Sequence, residues 1–211
     1  FTAQVDDTNL SGQLTLAYKF SDQFNAYATY ATGFKPVGLN LGGLPTAAGQ
    51  PILELAVIKP EEASHIEFGL KTSPTRNSVL NITFFNTDIK DYQTQVQAAD
   101  LSVNRGYLAN AEKVRVRGIE LDGSLKVQDF LSVYGSVAYN DGKYISFTNA
   151  PPPLEETGGP TFKDISGGDL PGISKWATSL GAEFTAPGQF FGKGGNFFIA
   201  VDGYYRSSFS S

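Results

Sequence analysis

The clearest pattern in the chain is a strict alternation of polar and apolar side chains between Val114 and Tyr139. From Gly118 onward, one side of this stretch carries charged and hydroxyl groups, and the other side carries aliphatic residues and glycine. The pattern is interrupted at Gln128-Asp129 and then resumes. A period of two residues is typical of extended strands with two different faces, and a connection of about two residues is typical of an antiparallel hairpin. The segment is therefore predicted to form a β-hairpin with one polar face and one apolar face.

The same alternation recurs along the chain and predicts about eight strands in total. Besides the two strands of the hairpin, the predicted strands are Leu10–Phe20, Phe24–Gly33, Ser64–Ser73, Val79–Tyr92, Trp176–Thr185 and a last strand that begins at Phe197. Ile52–Ile58 is a candidate for a short additional strand. Charged side chains fall on the polar faces of these strands, with Asp88 as the exception. The predicted fold class is therefore all-β and antiparallel.

The predicted connections alternate between short and long. Three irregular segments, about 34–60, 93–113 and 146–173, each span roughly 20 residues or more, and shorter connections lie between them. A glycine-rich connection, Ala186–Asn196, precedes the last strand. Compact soluble domains usually join their elements with about 2–6 residues, whereas transmembrane barrels have short periplasmic turns and long extracellular loops. The loop pattern therefore favours a transmembrane β-barrel.

Aromatic residues gather at the strand ends, where the interfaces of a bilayer would lie. The short turns are flanked by Phe20, Phe24, Phe130, Phe184 and Phe197, and the far ends carry Tyr30, Tyr139 and Tyr205. A strand from Leu131 to Tyr139 with a tilt of ~40° would cover ~20 Å of the membrane normal, close to the ~25 Å apolar band of such barrels. A soluble β-sandwich also turns its charges to water, so that architecture remains an alternative on these grounds.

Composition narrows the functional classes. The 211 residues include 23 Gly, 16 Phe and 10 Tyr but no Cys and no Met, and the net charge is −5. Without cysteine the chain has no disulfide scaffold and no cysteine-based zinc or nucleophile chemistry, and its acidic balance argues against a nucleic-acid partner. No apolar run approaches the ~20 residues of a membrane-spanning helix. Because the chain starts at Phe1 without an initiator Met or a signal peptide, we expect a processed or partial sequence.

The order of the loops predicts an arc of a larger barrel. About eight strands could close on themselves, as in small outer-membrane barrels. If the short turns are periplasmic, however, both ends of this chain are extracellular, whereas complete bacterial barrels begin and end in the periplasm. The chain also ends at Ser210-Ser211 without a terminal aromatic residue. We therefore expect further strands beyond the arc.

Five segments carry a resemblance to a known family. They are Phe24–Pro36, Lys59–Ser73, Leu80–Val96, Asn110–Leu125 and Leu170–Thr185. In order and spacing they resemble the C-terminal barrel region of TonB-dependent outer-membrane receptors. The resemblance implies a barrel of about 22 strands around an N-terminal plug in the bacterial outer membrane. We expect the plug, the TonB box and the closing strands to lie outside these residues.

The resemblance also implies a function. Family members bind a scarce, large ligand at extracellular loops and import it with energy that the TonB complex transmits to the plug, and a ferric siderophore is the ligand we expect first. Cobalamin, haem or an oligosaccharide would suit the same scheme, because the loops carry no diagnostic motif. The alternatives are a passive porin-like or structural barrel, a membrane-embedded enzyme and a soluble sandwich that acts as a binding module. We expect no enzymatic activity and no cofactor.

Candidate contact residues lie in the loops and on the polar faces. The ligand-binding candidates are Asn104, Arg105, Tyr107, Arg115, Arg117, Tyr144, Phe147 and Phe162. Arg115 and Arg117 could contact an anionic siderophore, since arginine binds anions well. They could instead contact lipopolysaccharide or pair with carboxylates of the loops. Lipopolysaccharide and outer-membrane lipid are both expected partners of the protein. The aromatic candidates could instead pack within the loops. The candidates for contacts with the plug are Glu120, Asp122 and Lys126.

Two other groupings carry no predicted chemistry. His65 follows Glu61-Glu62, but a single histidine without a second ligand at a fixed spacing is a poor metal site. The glycine pairs Gly158-Gly159 and Gly167-Gly168 lack the strand-to-helix context of a phosphate-binding loop. No metal site and no catalytic residue is therefore predicted.

Overall fold

The computed structural model describes residues 5–40, 44, 46–47, 50–97, 106–153, 156 and 159–210. The strands are β1 Gly12–Ser21, β2 Phe24–Lys35, β3 Gly38–Leu39, β4 Thr46–Ala47, β5 Gln50–Pro51, β6 Val57–Ile58, β7 Glu61–Thr72, β8 Ser78–Gln97, β9 Gly106–Gln128, β10 Leu131–Ser146, β11 Trp176–Phe190 and β12 Lys193–Arg206. A 3-10 helix spans Leu53–Ala56. Within the described ranges, no helix is long and apolar enough to cross a membrane.

The long strands form one antiparallel sheet of eight strands in the order β1-β2-β7-β8-β9-β10-β11-β12. Each strand pairs with its neighbour along the chain once the short strands β3 to β6 are set aside, so the sheet is a simple meander. This topology confirms the predicted all-β, antiparallel arc of about eight strands. Strands β1 and β12 lie at the two edges of the sheet.

The apolar face of the sheet is exposed. Leu180, Ile199 and Val201 are each 68% exposed, and Leu16 on the first strand is 69% exposed. A β-sandwich would bury these side chains against a second sheet, and a water-soluble protein rarely exposes a contiguous apolar surface of this extent. Among the described residues no second sheet covers these side chains, and their exposure favours a face that meets lipid over the sandwich alternative.

Aromatic side chains border this apolar face at both ends. The ring centroids of Phe130 and Phe184 lie 5.5 Å apart at the end with the short turns. The rings of Tyr139 and Trp176 lie 5.0 Å apart at the opposite end. Since Leu131 to Tyr139 covers ~20 Å of the membrane normal, the two rows of rings have the spacing of bilayer interfaces.

The predicted irregular segment 93–113 is wrong in its extent. Strand β8 continues to Gln97 and strand β9 begins at Gly106, with Tyr92 opposite Ala111 and Gln97 opposite Gly106. Residues 93–97 and 106–113 therefore belong to strands that project beyond the apolar band. The sequence pattern did not predict these residues to be strands. Outside the bilayer neither face of a strand needs a continuous row of apolar side chains, so the period of two is lost.

The predicted glycine-rich connection Ala186–Asn196 is also wrong in its extent. Strands β11 and β12 continue to a two-residue turn at Phe191 and Gly192, whose φ angles are 48° and 74°. Positive φ at both central residues defines the tight hairpin turn that matches the twist of the strands. The paired segment contains glycines, such as Gly188 opposite Gly195. Because glycine usually indicates a turn or loop, the sequence predicted a connection here and not a pair of strands.

The other two long connections agree better with the prediction. Segment 36–60 contains the short strands β3 to β6, and the candidate strand Ile52–Ile58 is in part the 3-10 helix Leu53–Ala56 followed by β6. Segment 147–175 is joined to β10 by the bridge Lys143↔Asp169 and is closed on itself by the bridge Ala150↔Lys163. These loops and the ends of the long strands enclose the buried hydrophobic cluster of Tyr107, Ala109, Ala111, Val114, Tyr144, Phe147, Ala150 and Leu170, which we call the loop-end core.

Candidate lumen wall and loop-end core

A polar network crosses strands β2, β7 and β8 on the polar face. The Tyr27 hydroxyl donates a hydrogen bond of 2.6 Å to Glu67 Oε1. His65 Nδ1 lies 2.8 Å from Thr87 Oγ1, and His65 Nε2 lies 3.4 Å from Glu67 Oε2. Neighbouring strands bring these groups together because each contributes every second residue to the same face. The network gives this part of the wall fixed hydrogen-bonding groups.

The predicted plug-contacting residues lie on the same polar face. Asp122 accepts a hydrogen bond of 2.9 Å from Asn81 Nδ2, which fixes its carboxylate against the neighbouring strand. Lys126 Nζ lies 2.9 Å from Asp129 Oδ1 in the short turn. Glu120 and Asp122 are exposed and lie one above the other along β9. Both carboxylates are therefore accessible from the lumen side, and their contact with a plug stays a prediction.

Aromatic side chains lie flat on the wall where a neighbouring strand carries glycine. Tyr27 covers Gly69, and a Cβ atom at that glycine would overlap the tyrosine ring. Tyr134 covers Gly181 in the same way, and its hydroxyl donates a hydrogen bond of 2.6 Å to Asp202 Oδ1. Because glycine has no side chain, a large ring fits against the backbone without reaching into the lumen. The repeated arrangement keeps the polar face smooth while burying ring surface.

The structure brings three of the four predicted aromatic ligand candidates together, but it buries them. Tyr107, Tyr144 and Phe147 are 4%, 6% and 1% exposed, and the rings of Tyr144 and Phe147 lie 5.2 Å apart. Burial raises the pKa of the Tyr107 hydroxyl to about 12. These residues form part of the loop-end core and so position the loops, which agrees with the packing alternative. Phe162 is half-buried in segment 147–175, while Asn104 and Arg105 lie outside the described residues.

Arg115 and Arg117 lie on the face that carries Ile119, because the alternation of β9 is unbroken between these positions. Arg115 donates from Nε to Asp88 Oδ1 at 2.7 Å and from Nη2 to Asp88 Oδ2 at 3.2 Å. Arg117 donates from Nε and Nη2 to Asp141 Oδ2, both at 3.1 Å. The arginines therefore lie on the outer side of the sheet, paired with carboxylates. Ligand contact by either arginine stays a prediction, and their place in the alternation was the signal for the outer side.

Sequence reasoning missed the amides that fix the loops. Gln93 is 7% exposed, and its Nε2 donates to the carbonyl oxygens of Pro36 at 2.8 Å and Lys59 at 3.0 Å. Asn40 Nδ2 donates to the carbonyl oxygens of Leu55 at 2.7 Å and Leu108 at 2.9 Å. These amides join segment 36–60 to strands β8 and β9. No sequence signal distinguishes them, because asparagine and glutamine are common in exposed polar segments.

The sheet and its two faces define the wall of an outer-membrane β-barrel, with lipid on the apolar side and a polar lumen on the other. The family model described as TonB dependent receptor-like, beta-barrel matches residues 1–210. The chain therefore belongs to the TonB-dependent receptor β-barrel family, a family of transport receptors, and it is an outer-membrane protein.

Receptors and transporters are among the known proteins that are similar to this chain. The ferrioxamine receptor of Yersinia enterocolitica is 25% identical over 143 residues, which cover 68% of this chain and 18% of that receptor. The ferric yersiniabactin uptake receptor of Yersinia pestis matches with a TM-score of 0.58 and 20% identity over 92% of this chain and 29% of that structure. A copper transporter matches with a TM-score of 0.60 and 15% identity over 90% and 30% of the two chains. At these identities the structural matches show a shared fold, and the chain spans less than a fifth of the ferrioxamine receptor.

Proposed function

We propose that this chain forms part of the wall of a receptor that captures a ferric siderophore at its extracellular loops and imports it with energy transmitted by the TonB complex. The observation that carries this proposal is the eight-stranded sheet with one lipid-facing and one polar face, matched to the receptor family along residues 1–210. The wall supplies closed backbone hydrogen bonding in lipid and a stiff frame for the moving parts.

In this scheme the polar face holds a plug that further sequence supplies. The exposed carboxylates of Glu120 and Asp122 are positioned to accept hydrogen bonds from plug side chains, and Lys126 lies near the short-turn end. Release of the plug by TonB would open a path along this face. No step of such transport breaks or forms a covalent bond in the ligand, and we infer that the receptor has no enzymatic activity and needs no cofactor.

The names of similar receptors favour a ferric siderophore as the cargo. Ferrioxamine and ferric yersiniabactin are both iron complexes of organic chelators, and they name the cargo of two similar receptors. The structural match to a copper transporter is a reason to include a copper complex among the candidates. Asn104 and Arg105 precede the projecting strand β9 and remain proposed ligand contacts. Lipopolysaccharide and outer-membrane lipid are the proposed partners of the apolar face.

The proposal is tested by uptake in a strain that lacks the full-length gene. Under iron limitation we expect the strain to lose uptake of radiolabelled iron from one siderophore class, and the gene to restore it only when TonB is present. Ferrioxamine, a catecholate complex, haem, cobalamin and a copper complex would be supplied separately. Uptake that persists without TonB would instead support the passive, porin-like alternative.

A further inference from the structure

A cavity on the polar face lies at the short-turn end of strands β1, β2, β7 and β8. Its volume is about 430 Å³, and polar side chains and the turn between β1 and β2 line it. One row of directly paired residues runs across it, Lys19, Asn25, Lys71 and Asn81. Neighbouring strands lie ~4.8 Å apart, so the backbones of the two lysines are about 10 Å apart. We call this feature the two-lysine cavity.

The two ammonium groups of the cavity are only partly neutralised within the chain. Lys19 Nζ lies 2.6 Å from Asp22 Oδ1, but both side chains are exposed, so this pair is weak in water. Lys71 Nζ lies 5.4 Å from the centre of the Tyr27 ring. Lys71 forms no ion pair with any residue that the structure describes. With two lysines against one aspartate, the cavity carries a net positive charge.

The amide of Asn25 adds a hydrogen-bonding group between the two lysines. Its Oδ1 is buried and has no hydrogen-bond partner among the described residues. A half-turn of the amide exchanges this oxygen for the NH2 group, which is a donor. The row can therefore offer two ammonium groups and one amide donor to the same anion. Because a buried polar group without a partner is unfavourable, a ligand that bonds to this amide gains from it.

Acidic side chains occupy a different sector of the polar face. Glu120 and Asp122 lie on β9, and strand β8 separates Asp122 from Lys71. Asn81 Nδ2 on β8 donates to Asp122 at 2.9 Å, which keeps this carboxylate on its own side of the row. A negative group near the wall is repelled by β9 and attracted by β1 and β7. The charges of the wall thus define a route for an anion along the first strands of the sheet.

We propose that the two-lysine cavity is a second binding site for the imported ligand, near the exit of the barrel, and that this ligand is an anionic iron(III) complex. The inference rests on the proposed function, because it takes the polar face as the wall of the transport path. Chelators bind iron(III) through deprotonated oxygen groups, and those with more such groups than the metal charge requires form anions. Lysine meets an anion as a flexible, strongly hydrated point charge, which suits a ligand that must leave again.

The first experiment measures the charge preference of the cavity without any siderophore. Val79→Cys, at a position that lines the cavity, is introduced into the full-length receptor in detergent. Its thiol reacts with a negatively or a positively charged methanethiosulfonate of similar size. We expect Lys19→Gln combined with Lys71→Gln to lower the ratio of the negative to the positive reagent's rate at least about fivefold, because two nearby positive charges are removed. The control, Lys35→Gln with Lys90→Gln, removes two charges outside the cavity and should leave the ratio unchanged.

The second experiment separates capture at the surface from passage through the barrel. The strain of the uptake test carries the full-length receptor or a variant and is given a radiolabelled ferric tris-catecholate, which is an anion. We expect the Lys19→Gln, Lys71→Gln variant to bind this complex at the cell surface as the parent does. We expect its import to be about threefold to tenfold slower, because the attraction near the exit is lost. The control variant should import at the parent's rate.

Each outcome decides the proposal. A lower rate ratio, together with slower import at unchanged surface binding, supports it. An unchanged ratio overturns it, and so does equal import by the parent and the lysine variant, a slowing of the same size in the control, or import by the parent that is restricted to complexes without negative charge. Retained heat-modifiable mobility on gels shows that the variants are folded.

Two further results separate this site from the plug and from the proposed function. If neither reagent reaches Val79→Cys, the plug fills the cavity, and the lysines are plug contacts and not a ligand site. A parent receptor that imports no iron complex contradicts the proposed function, while the rate ratio still decides whether the cavity prefers anions.

Discussion

The pairing of lumen-facing aromatic rings with glycine fixes how neighbouring strands approach each other. Tyr27 lies over Gly69 on β7, and Tyr134 lies over Gly181 on β11. Each tyrosine also donates a hydrogen bond to a carboxylate, Glu67 for the first and Asp202 for the second. The ring, the glycine and the acid therefore act together, because a ring displaced from the glycine could not keep its hydroxyl within reach of the acid.

Adding a methyl group at either glycine should destabilise the wall. We expect Gly69→Ala and Gly181→Ala to lower the unfolding free energy of the full-length barrel by about 1–3 kcal/mol, the usual cost of overpacking, because the new Cβ would overlap a tyrosine ring. Urea unfolding in detergent, followed by gel mobility, measures the change. Gly33→Ala is the control, since a Cβ at Gly33 meets nothing within 4 Å. A midpoint for the two variants equal to that of the control would show that the rings move aside at no cost.

The pH dependence of the loop-end core follows from the burial of Tyr107. Burial holds the pKa of its hydroxyl at about 12, so the folded state keeps the neutral form where the unfolded chain ionises near pH 10. The contribution of this group to stability is complete below the pKa of the unfolded chain, about 10, and is lost as the pH rises through about 12. We expect segments 36–60 and 147–175 to become protease-sensitive within that window. Tyrosinate absorbance and limited proteolysis on the same samples check it, and Tyr107→Phe should shift the onset upward.

For the strands, the sequence pattern predicts the parts that cross the bilayer and few of the residues beyond it. Between Gly118 and Gln128 each side chain faces either lipid or the polar lumen, so the period of two is complete and the strand was predicted correctly. The same strand begins at Gly106, and its first part, residues 106–113, was predicted to be irregular, although Tyr107, Ala109 and Ala111 are buried there. The alternation was enough to place Arg115 and Arg117 on the outer side of the sheet. The burial of Tyr107 could not be predicted in this way, because it depends on how the loops fold.

The amide of Gln93 shows how one side chain secures a loop to a projecting strand. Gln93→Ala leaves the carbonyl oxygens of Pro36 and Lys59 without this donor. The oxygen of Lys59 keeps a hydrogen bond from Asn110 Nδ2 at 3.1 Å, whereas that of Pro36 loses its donor. A lost hydrogen bond costs about 0.5–1.5 kcal/mol, so we expect faster amide hydrogen exchange in segment 36–60 with little change in the strands within the bilayer. Hydrogen exchange followed by mass spectrometry measures this. Gln95→Ala, an exposed neighbour on β8, is the matched control, and equal exchange in both variants would contradict a role for Gln93 in holding the loop.

For the whole molecule, the central inference is the sidedness of the sheet. Cysteine substitution tests it directly, because the chain contains no cysteine of its own. Leu180 and Glu183 both lie on β11, on opposite faces and three residues apart, and both are exposed in the structure. In the full-length receptor embedded in lipid vesicles, we expect Leu180→Cys to react with a water-soluble maleimide at least roughly tenfold more slowly than Glu183→Cys, since the reactive thiolate forms in water and not in hydrocarbon.

A third cysteine position and a detergent-solubilised sample serve as controls for this comparison. Val201→Cys lies on the lipid-facing side of β12, opposite Ala182, and should be as unreactive as Leu180→Cys. A membrane-permeant maleimide added after solubilisation should label all three, which shows that slow reaction in vesicles reflects the surroundings of the thiol and not its burial in protein. If Leu180→Cys and Val201→Cys react quickly in vesicles while Glu183→Cys is protected, the two faces are assigned in reverse. The lumen wall and the plug contacts would then both lie on the wrong side of the sheet.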